Sequence, residues 1–172
     1  MIDSKLQQAI NHQINQELLA SYTYLAMGAY LDRRNLVGFA KWMQKQSEEE
    51  RTHAHRLIRY LLDRNGDVKL DAISSPGSDF GTPHEVFARS LEQERANTAA
   101  IYKLYETAKN LNDYATIAHL QWFLDEQVEE EKTVSEILGR LELAGENPAA
   151  LLMLDAEVGA RPAVSAERGG GE

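Results

Sequence analysis

The sequence contains no cysteine and only four prolines, and its charge is biased towards acid. Without cysteine the chain can form no disulfide, no thiolate zinc site and no cysteine-ligated iron–sulfur cluster, so oxygen and nitrogen atoms must hold any bound metal. The formal net charge of −9 argues against a nucleic-acid partner, because phosphates require clustered lysine and arginine. An acidic chain of this kind is suited to handling cations.

Long apolar runs are missing as well. No stretch approaches the roughly 20 apolar residues of a membrane-spanning helix, and residues 1–13 lack the apolar centre of a secretion signal. We therefore expect no membrane association and a soluble, cytoplasmic protein. The 172 residues, 43% of them hydrophobic, suffice for one well-buried domain and are too few for two.

Apolar residues recur at helical spacing along most of the chain, and capping residues mark the helix ends. The clearest start is Thr82, where Pro83 takes the first helical position and Glu85 completes a capping box. Ser4 is placed to cap the first helix and Gly66 to end the second. The pattern predicts four long helices, from 4 to about 32–35, from about 36 to 66, from 82 to about 110 and from about 113 to 145, and a short fifth over 149–158.

The connection between the second and third helices is unusually long. Residues 67–81 contain a proline, two glycines and several serines and aspartates, with little periodicity. A short loop would place the third helix next to the second, whereas this length fits a crossover along the height of a bundle. We predict an all-α four-helix bundle with a short fifth C-terminal helix over residues 1–158, followed by a flexible tail over 159–172.

Four polar side chains stand where the helical pattern requires apolar ones. They are Glu17, Glu50, Glu94 and Gln127, each flanked seven residues away by apolar positions. Residues seven apart lie on nearly the same helix face, so all four occupy core positions. His53 and Glu130 follow two of them by three residues, a spacing that brings both side chains of a pair to one face.

Buried acids in this number need a cation. An isolated ionised carboxylate in an apolar interior costs many kcal/mol unless it is protonated, paired or bound to metal. A single Glu-x-x-His is usually a solvated pair, and a single buried glutamate usually pairs with arginine or lysine. Here no lysine or arginine occupies the same core positions, so the coincidence favours a metal site, and oxygen and nitrogen donors suit iron or manganese.

Other polar and aromatic residues have simpler interpretations. Tyr24 and Trp122 are interpreted as core aromatics, although Tyr24 lies one register from Glu17 and could hydrogen-bond a ligand carboxylate. Further acids could belong to solvated faces, namely Glu48, Glu49, Glu126, Glu129 and Glu131. The remaining histidines lack partners at core positions and are interpreted as surface or packing residues, namely His12, His55, His84 and His119.

Three segments carry a resemblance to a known family, namely residues 15–27, 47–57 and 120–132. With the order of the candidate ligands and the long crossover, they resemble the non-haem bacterial ferritins over about residues 4–158. A diiron protein of the bacterioferritin type would show a second Glu-x-x-His where this chain has Gln127-x-x-Glu130. Thr52 stands where bacterioferritins have their haem-binding methionine, so no haem is expected.

The resemblance implies a ferritin-like diiron centre in which Glu50 bridges two irons. The first iron would be held by Glu17, Glu50 and His53, and the second by Glu50, Glu94 and Glu130. Gln127, being neutral, would be a hydrogen-bonding neighbour or a weak ligand that leaves the second iron less tightly held, and Tyr24 would support a ligand. A third iron position would adjoin the pair, with the ligands Glu49, Glu126, Glu129 and Glu130.

The resemblance also implies an activity and an assembly. The chain is expected to be a ferroxidase that oxidises Fe(II) with O2 or H2O2 and deposits Fe(III) oxyhydroxide inside a 24-subunit homo-oligomeric shell. The fifth helix carries four consecutive apolar residues, 151–154, and is expected to pack against symmetry partners.

Two alternatives from other classes remain open. The first is a diiron or dimanganese oxidase or peroxidase without storage, similar to rubrerythrin but lacking its cysteine-ligated centre. The second is a metal-free helical interaction module, whose buried acids would be paired or protonated. Assembly size separates the first from a store, and stoichiometric Fe(II) binding excludes the second.

Overall fold

The computed structural model describes residues 2–161. These form five helices and, within that range, no strand. The helices are α1 (Ser4–Asp32), α2 (Val37–Asp63), α3 (Pro83–Asn110), α4 (Tyr114–Ala144) and α5 (Pro148–Ala160). The helix α5 extends two residues past the predicted domain boundary at 158, and residues 162–172 of the predicted tail lie outside the described residues. None of the described helices is long and apolar enough to cross a membrane.

The four long helices pack as two hairpin-like pairs, α1 with α2 and α3 with α4, and α1 also contacts α3. Two apolar clusters fill the interior. One includes Met27, Phe39, Phe87 and Val134, and the other includes Leu6, Ile14, Leu57 and Leu120. The predicted polar core positions fall in sequence between the members of these clusters, so the polar layer lies between two apolar ones.

The crossover between α2 and α3 runs alongside α1 and is fixed to it by amide side chains. Asn11 donates to the carbonyl oxygen of Asp67 at 2.8 Å and accepts from the amide of Lys69 at 2.7 Å. Asn15, one turn further along α1, donates to the carbonyl oxygen of Lys69 at 2.9 Å and accepts from the amide of Asp71 at 2.8 Å. Because each asparagine satisfies both a donor and an acceptor of extended backbone, a segment without regular structure follows α1 closely.

The helix ends confirm some capping predictions and correct others. The capping box of Thr82 and Glu85 is present. Ser4, however, is the first helical residue, and Asp3 caps α1 by accepting from the amide of Lys5 at 2.8 Å. Aspartate is at least as good an N-cap as serine, and its position one residue earlier leaves Ser4 inside the helix.

Asparagine rather than glycine terminates the first three helices. The prediction that Gly66 ends α2 was wrong, because the left-handed residue there is Asn65, with φ of 55°. Asn35 and Asn112 have the same conformation after α1 and α3, with φ of 62° and 53°. Asparagine adopts this conformation more readily than most residues, so its short side chain replaces the glycine expected at such ends.

The N-terminus of α2 is capped by a residue of α5. Asp155 accepts hydrogen bonds from the backbone amides of Gly38 at 3.0 Å and Phe39 at 2.8 Å. Helix α2 has no side-chain cap from its own N-cap residue, Leu36. Two glycines permit this approach, since a Cβ atom on Gly38 would lie 1.8 Å from the carbonyl oxygen of Asp155 and one on Gly159 would lie 2.5 Å from Gly38 Cα.

Replacing Gly38 by alanine is therefore expected to displace α5. Overpacking of this kind costs about 1–3 kcal/mol, which lowers the melting temperature of a chain this size by roughly 3–10 °C. Gly139→Ala is the matched control, because a Cβ there meets nothing within 4 Å and should raise helix stability by about 0.5–1 kcal/mol. Thermal unfolding followed by circular dichroism measures both, and equal melting temperatures for the two variants would contradict this packing.

An ion pair ties the α3–α4 connection to the end of α2. Arg64 donates two hydrogen bonds to the carboxylate of Asp113, at 2.7 and 3.0 Å, and Asp113 also caps α4 by accepting from the amide of Thr116 at 3.0 Å. The hydrogen bond from Arg64 is the main cause that lowers the pKa of Asp113 to about 2. The pKa is depressed in the folded state, so the pair stabilises the fold above the unfolded value of about 3.9. That stabilisation is lost as pH falls towards 2.

The variant Asp113→Asn keeps the cap but removes the charge. At pH 7 we expect it to lower the free energy of unfolding by about 1–2 kcal/mol, a figure reduced from the full pKa shift because the pair is partly exposed. The difference from the wild type should shrink as pH falls from 5 towards 2, as measured by urea unfolding at a series of pH values. A difference that is the same at pH 3 and pH 7 would show that the charge contributes nothing.

Candidate metal centre

The polar layer contains acids from all four long helices, and every predicted member is almost fully buried. Exposed fractions of 2% or less are found for Glu17, Glu50, His53, Glu94, Gln127 and Glu130. Burial of this extent is unusual for ionisable side chains unless they are paired or bind a metal. The structure therefore places these side chains in the interior, where the seven-residue register positioned them.

One group of potential ligands joins α1 and α2. Glu17, Glu50 and His53 each offer a ligand atom within 4.8 Å of the others. Nδ1 of His53 lies 3.2 Å from Oε2 of Glu50, as the three-residue spacing on one helix face requires. These three residues match the set that the resemblance assigns to a first iron.

A second group shares His53 with α4. His53, Glu126 and Glu130 also offer atoms within 4.8 Å of one another. Among the described residues, Nε2 of His53 and Oε1 of Glu130 are buried without a hydrogen-bond partner. Leaving a buried polar atom unsatisfied costs about 1–3 kcal/mol, so these two atoms mark a place where a cation fits. The sequence assigned Glu130 to a centre with Glu94 and did not anticipate its proximity to His53.

Glu94 lies outside both groups, and its carboxylate is held by hydrogen bonds. Tyr24 donates a short hydrogen bond to Oε1, and Gln127 donates to Oε2 at 3.4 Å and to the Glu94 carbonyl oxygen at 3.3 Å. The amide of Gln127 also donates to Oγ1 of Thr98 at 3.1 Å. Tyr24 thus makes the hydrogen bond to a candidate ligand that the sequence suggested, and Gln127 acts here as a hydrogen-bonding neighbour.

Amide side chains that the sequence analysis did not name orient the other acids. Gln13 and Asn97 donate to the two oxygens of Glu17 at 2.8 and 3.0 Å, and Gln13 also donates to Asn97 at 2.6 Å. Gln46 donates to Oε2 of Glu130 at 2.9 Å. A signal was present, because Gln13 precedes Glu17 by four residues and Gln46 precedes Glu50 by four, so each lies one turn away on the same face.

Crowding and burial set the protonation of the layer. Burial, followed by repulsion from Glu94, raises the pKa of Glu50 and of Glu130 well above the usual range. Burial raises the pKa of Glu94 to about 7, against the hydrogen bond from Tyr24, which lowers it. Burial also lowers the pKa of His53. Without a cation Glu50 and Glu130 therefore favour their protonated forms and His53 its neutral form, and a bound cation would displace the protons of the two acids.

The acids given a solvated-face interpretation divide into two kinds. Glu48 is exposed and pairs with Arg51, as expected. That interpretation was wrong for Glu49 and Glu126, which are each only 4% exposed, while Glu129 is half-buried. Glu49 and Glu126 lie near Glu130, whose pKa their repulsion raises further after burial and Glu94.

Aromatic and histidine side chains surround the layer. Tyr24 is fully buried, as predicted, whereas Trp122 is half-buried and packs against the outside of the second apolar cluster. The Trp122 ring stands edge-on to the His53 ring, with centroids 5.3 Å apart. His119 stacks on Tyr60 at 4.0 Å, which agrees with its interpretation as a packing residue. The other histidines outside the layer are exposed, namely His12, His55 and His84.

A four-helix bundle with a long crossover and a buried layer of acids and one histidine defines a class of metal-handling helical proteins. Comparison with protein families agrees, because residues 7–144 match the ferritin-like domain described as Ferritin. The chain belongs to the ferritin family. The predicted family and the predicted fold class are confirmed.

Individual relatives cover nearly the whole chain. The chain is 40% identical to a bacterial non-heme ferritin of Staphylococcus aureus (strain USA300) and 42% identical to one of Staphylococcus epidermidis, in each case over 94% of this chain and 97% of the relative. Among solved structures, an open pore ferritin of the archaeon Archaeoglobus fulgidus superposes with a TM-score of 0.93 at 40% identity, covering 94% of this chain and all of the other.

Proposed function

We propose that this protein stores iron and that its buried layer is a ferroxidase centre, where Fe(II) is the substrate. The observation that carries this proposal is the convergence of Glu17, Glu50 and His53 in a layer rich in acids and almost closed to solvent. Membership in the ferritin family supports iron storage as the general function. The donor set of carboxylates and one imidazole suits Fe(II) and favours Fe(III) after oxidation.

Each acid has a proposed role. Glu17, Glu50 and His53 bind one Fe(II), and Glu50 bridges to a second that Glu94 and Glu130 bind. For this the Glu94 carboxylate must turn from its hydrogen bond with Gln127, whose long contact of 3.4 Å makes that movement inexpensive. Tyr24 then steadies Glu94, while Gln127 keeps its hydrogen bond to Thr98, and no haem takes part.

The number of electrons that the bound Fe(II) ions supply determines the proposed reaction. Two bound Fe(II) ions each give one electron, so one O2 is reduced to peroxide, or one H2O2 is reduced to water, with protons taken up. Glu50 and Glu130 release their protons when Fe(II) binds, because the cations offset the burial and the repulsion between acids that raised the pKa values of these two residues. Fe(III) then hydrolyses to an oxyhydroxide mineral. Glu49, Glu126 and Glu129, with Glu130, are proposed to form a third iron position on the route away from the pair.

Iron storage requires a shell that encloses the mineral, and exposed apolar residues on and beside α5 favour association of chains. Leu152 and Met153 of α5 are 57% and 74% exposed on the single chain, and Leu143 at the end of α4 is 90% exposed, an arrangement expected where chains associate. We propose the homo-oligomeric shell of two dozen subunits that the resemblance implies, with α5 at a contact between symmetry partners. The cytoplasmic location stays a prediction from the sequence.

Aerobic addition of Fe(II) to the metal-free protein, followed optically and by size-exclusion chromatography, tests this function. A store should develop ferric absorbance for hundreds of Fe(II) per shell and keep the iron in a soluble species of several hundred kilodaltons. Oxidation of a stoichiometric pair in a small species would indicate the non-storing diiron oxidase or peroxidase instead. Absence of any reaction would favour the metal-free interaction module.

A further inference from the structure

A positively charged side chain lies beside the second ligand group. Arg56 follows His53 by one turn of α2, and its guanidinium carbon lies 4.1 Å from the centre of the Trp122 ring on α4. Glu126 follows Trp122 by one turn of α4. The cation is therefore held across the gap between the two helices that supply His53, Glu126 and Glu130.

The position of this guanidinium is set by packing. The Trp122 ring that it covers is fixed by edge-on contacts with His53 at 5.3 Å and with Phe123 at 4.9 Å. A planar guanidinium stacks on an indole ring and is attracted by its electron-rich face. An arginine that would otherwise move freely at the surface is thus kept next to the ligand group.

The charge of Arg56 acts on this group. Burial lowers the pKa of Arg56 and attraction to Glu126 opposes that shift. Burial, and after it the positive charge of Arg56, lowers the pKa of the neighbouring His119. A cation that stabilises the carboxylate of Glu126 in the metal-free protein must also repel a metal ion that binds to the same carboxylate. The same side chain therefore compensates the acids and competes with metal.

We propose that Arg56, held on Trp122, is a resident counter-cation of the third metal position and weakens metal binding there. The inference rests on the third position of the proposed function. A third ion held in the presence of this charge binds less tightly than the pair and leaves sooner. Through its charge, Arg56 thus keeps the third position a site of transient binding, from which iron dissociates.

Calorimetric titration of the metal-free protein with Zn2+, which undergoes no redox change, tests this proposal. In Arg56→Gln the charge is lost at similar size, so the weakest class of sites should bind Zn2+ about tenfold more tightly, as expected for one partly exposed charge. Arg56→Lys keeps the charge and should stay within about threefold of the wild type by the same reasoning. Arg59→Gln removes an exposed arginine of the same helix and should leave the affinity unchanged.

The outcomes separate this inference from the proposed function. Unchanged or weaker Zn2+ binding at the third position in Arg56→Gln, with the pair still filled, overturns the role of Arg56 alone. The role of Arg56 is also overturned if the wild type and every variant bind only two Zn2+ per chain and none at the third position. If the wild type binds no stoichiometric Zn2+ at all, the metal centre itself fails. Melting temperatures supply a second readout, since Arg56→Gln should melt lower than the wild type without metal and recover with Zn2+.

Discussion

The double variant Glu50→Ala/His53→Ala is expected to oxidise Fe(II) at least a hundredfold more slowly than the wild type in the first seconds after mixing. Glu50 is the proposed bridge and His53 belongs to both ligand groups, so their removal disrupts the proposed iron pair and takes one member from the group with Glu126 and Glu130. Loss of residues that only orient ligands already costs about 10–100-fold, and loss of the ligands themselves should cost more. Stopped-flow absorbance under air measures the initial rate.

The control for this variant is Glu48→Ala, which removes an exposed acid of the same helix that pairs with Arg51. It should oxidise Fe(II) at the wild-type rate. Both variants should assemble as the wild type does, because neither changes α5 or the apolar clusters. An initial rate in the double variant within a few-fold of the control would mean that oxidation occurs elsewhere on the protein.

Glu94→Gln is expected to stabilise the metal-free protein. The pKa of Glu94 is raised to about 7 in the folded state, chiefly by burial, and the unfolded value is near 4.3. A raised folded pKa means that stability is fully present below the unfolded value and is lost as pH rises through 7. The wild type should therefore lose roughly 2–3 kcal/mol between pH 4.5 and pH 8 through this residue, and the variant should not.

Melting temperatures between pH 4.5 and pH 8 test this prediction. Glu94→Gln should melt roughly 4–10 °C higher than the wild type at pH 8 and at about the same temperature at pH 4.5. Glu92→Gln, at an exposed position of the same helix, should follow the wild type throughout. Added Zn2+ should reverse the order, since the wild type binds it more tightly. A difference in melting temperature that does not grow with pH would show that ionisation of Glu94 does not destabilise the fold.

The results expected for Glu50→Ala/His53→Ala and Glu94→Gln indicate a compromise between the stability of the metal-free protein and its proposed function. The acids that we propose to bind metal repel each other without it, and we expect neutral replacements to give a more stable but inactive bundle. The amides of Gln13, Gln46 and Asn97 reduce the cost by donating hydrogen bonds to Glu17 and Glu130. We therefore expect the protein to be most stable with metal bound to these acids.

The seven-residue register found the polar layer because it depends only on helical geometry. Glu17, Glu50, Glu94 and Gln127 interrupt apolar stripes, and the structure buries all of them. The long segment before Thr82 likewise predicted the crossover, since its length excludes a tight turn. The helical spacing and the length of the connection are both local properties of the sequence, so they do not depend on how the rest of the chain folds.

Features that join distant parts of the chain could not be predicted in this way. Asp155 caps α2 from more than a hundred residues away, and Asn11 and Asn15 hold a crossover whose path the sequence does not specify. That Tyr24 and Gln127 donate to Glu94, rather than to another carboxylate, depends on side-chain rotamers in the packed layer. Such details follow from tertiary packing, which no single-helix pattern records.

Anaerobic titration of the metal-free protein with Fe(II) tests the central claim most directly. The claim predicts two tightly bound Fe(II) per chain and a weaker third, with proton release that makes the measured heat depend on the buffer. The Glu50→Ala/His53→Ala variant should lose the tight sites, while Glu48→Ala should keep them. Saturation without tight sites in the wild type, or equal binding by the double variant, would contradict the assignment of this buried layer as the iron centre.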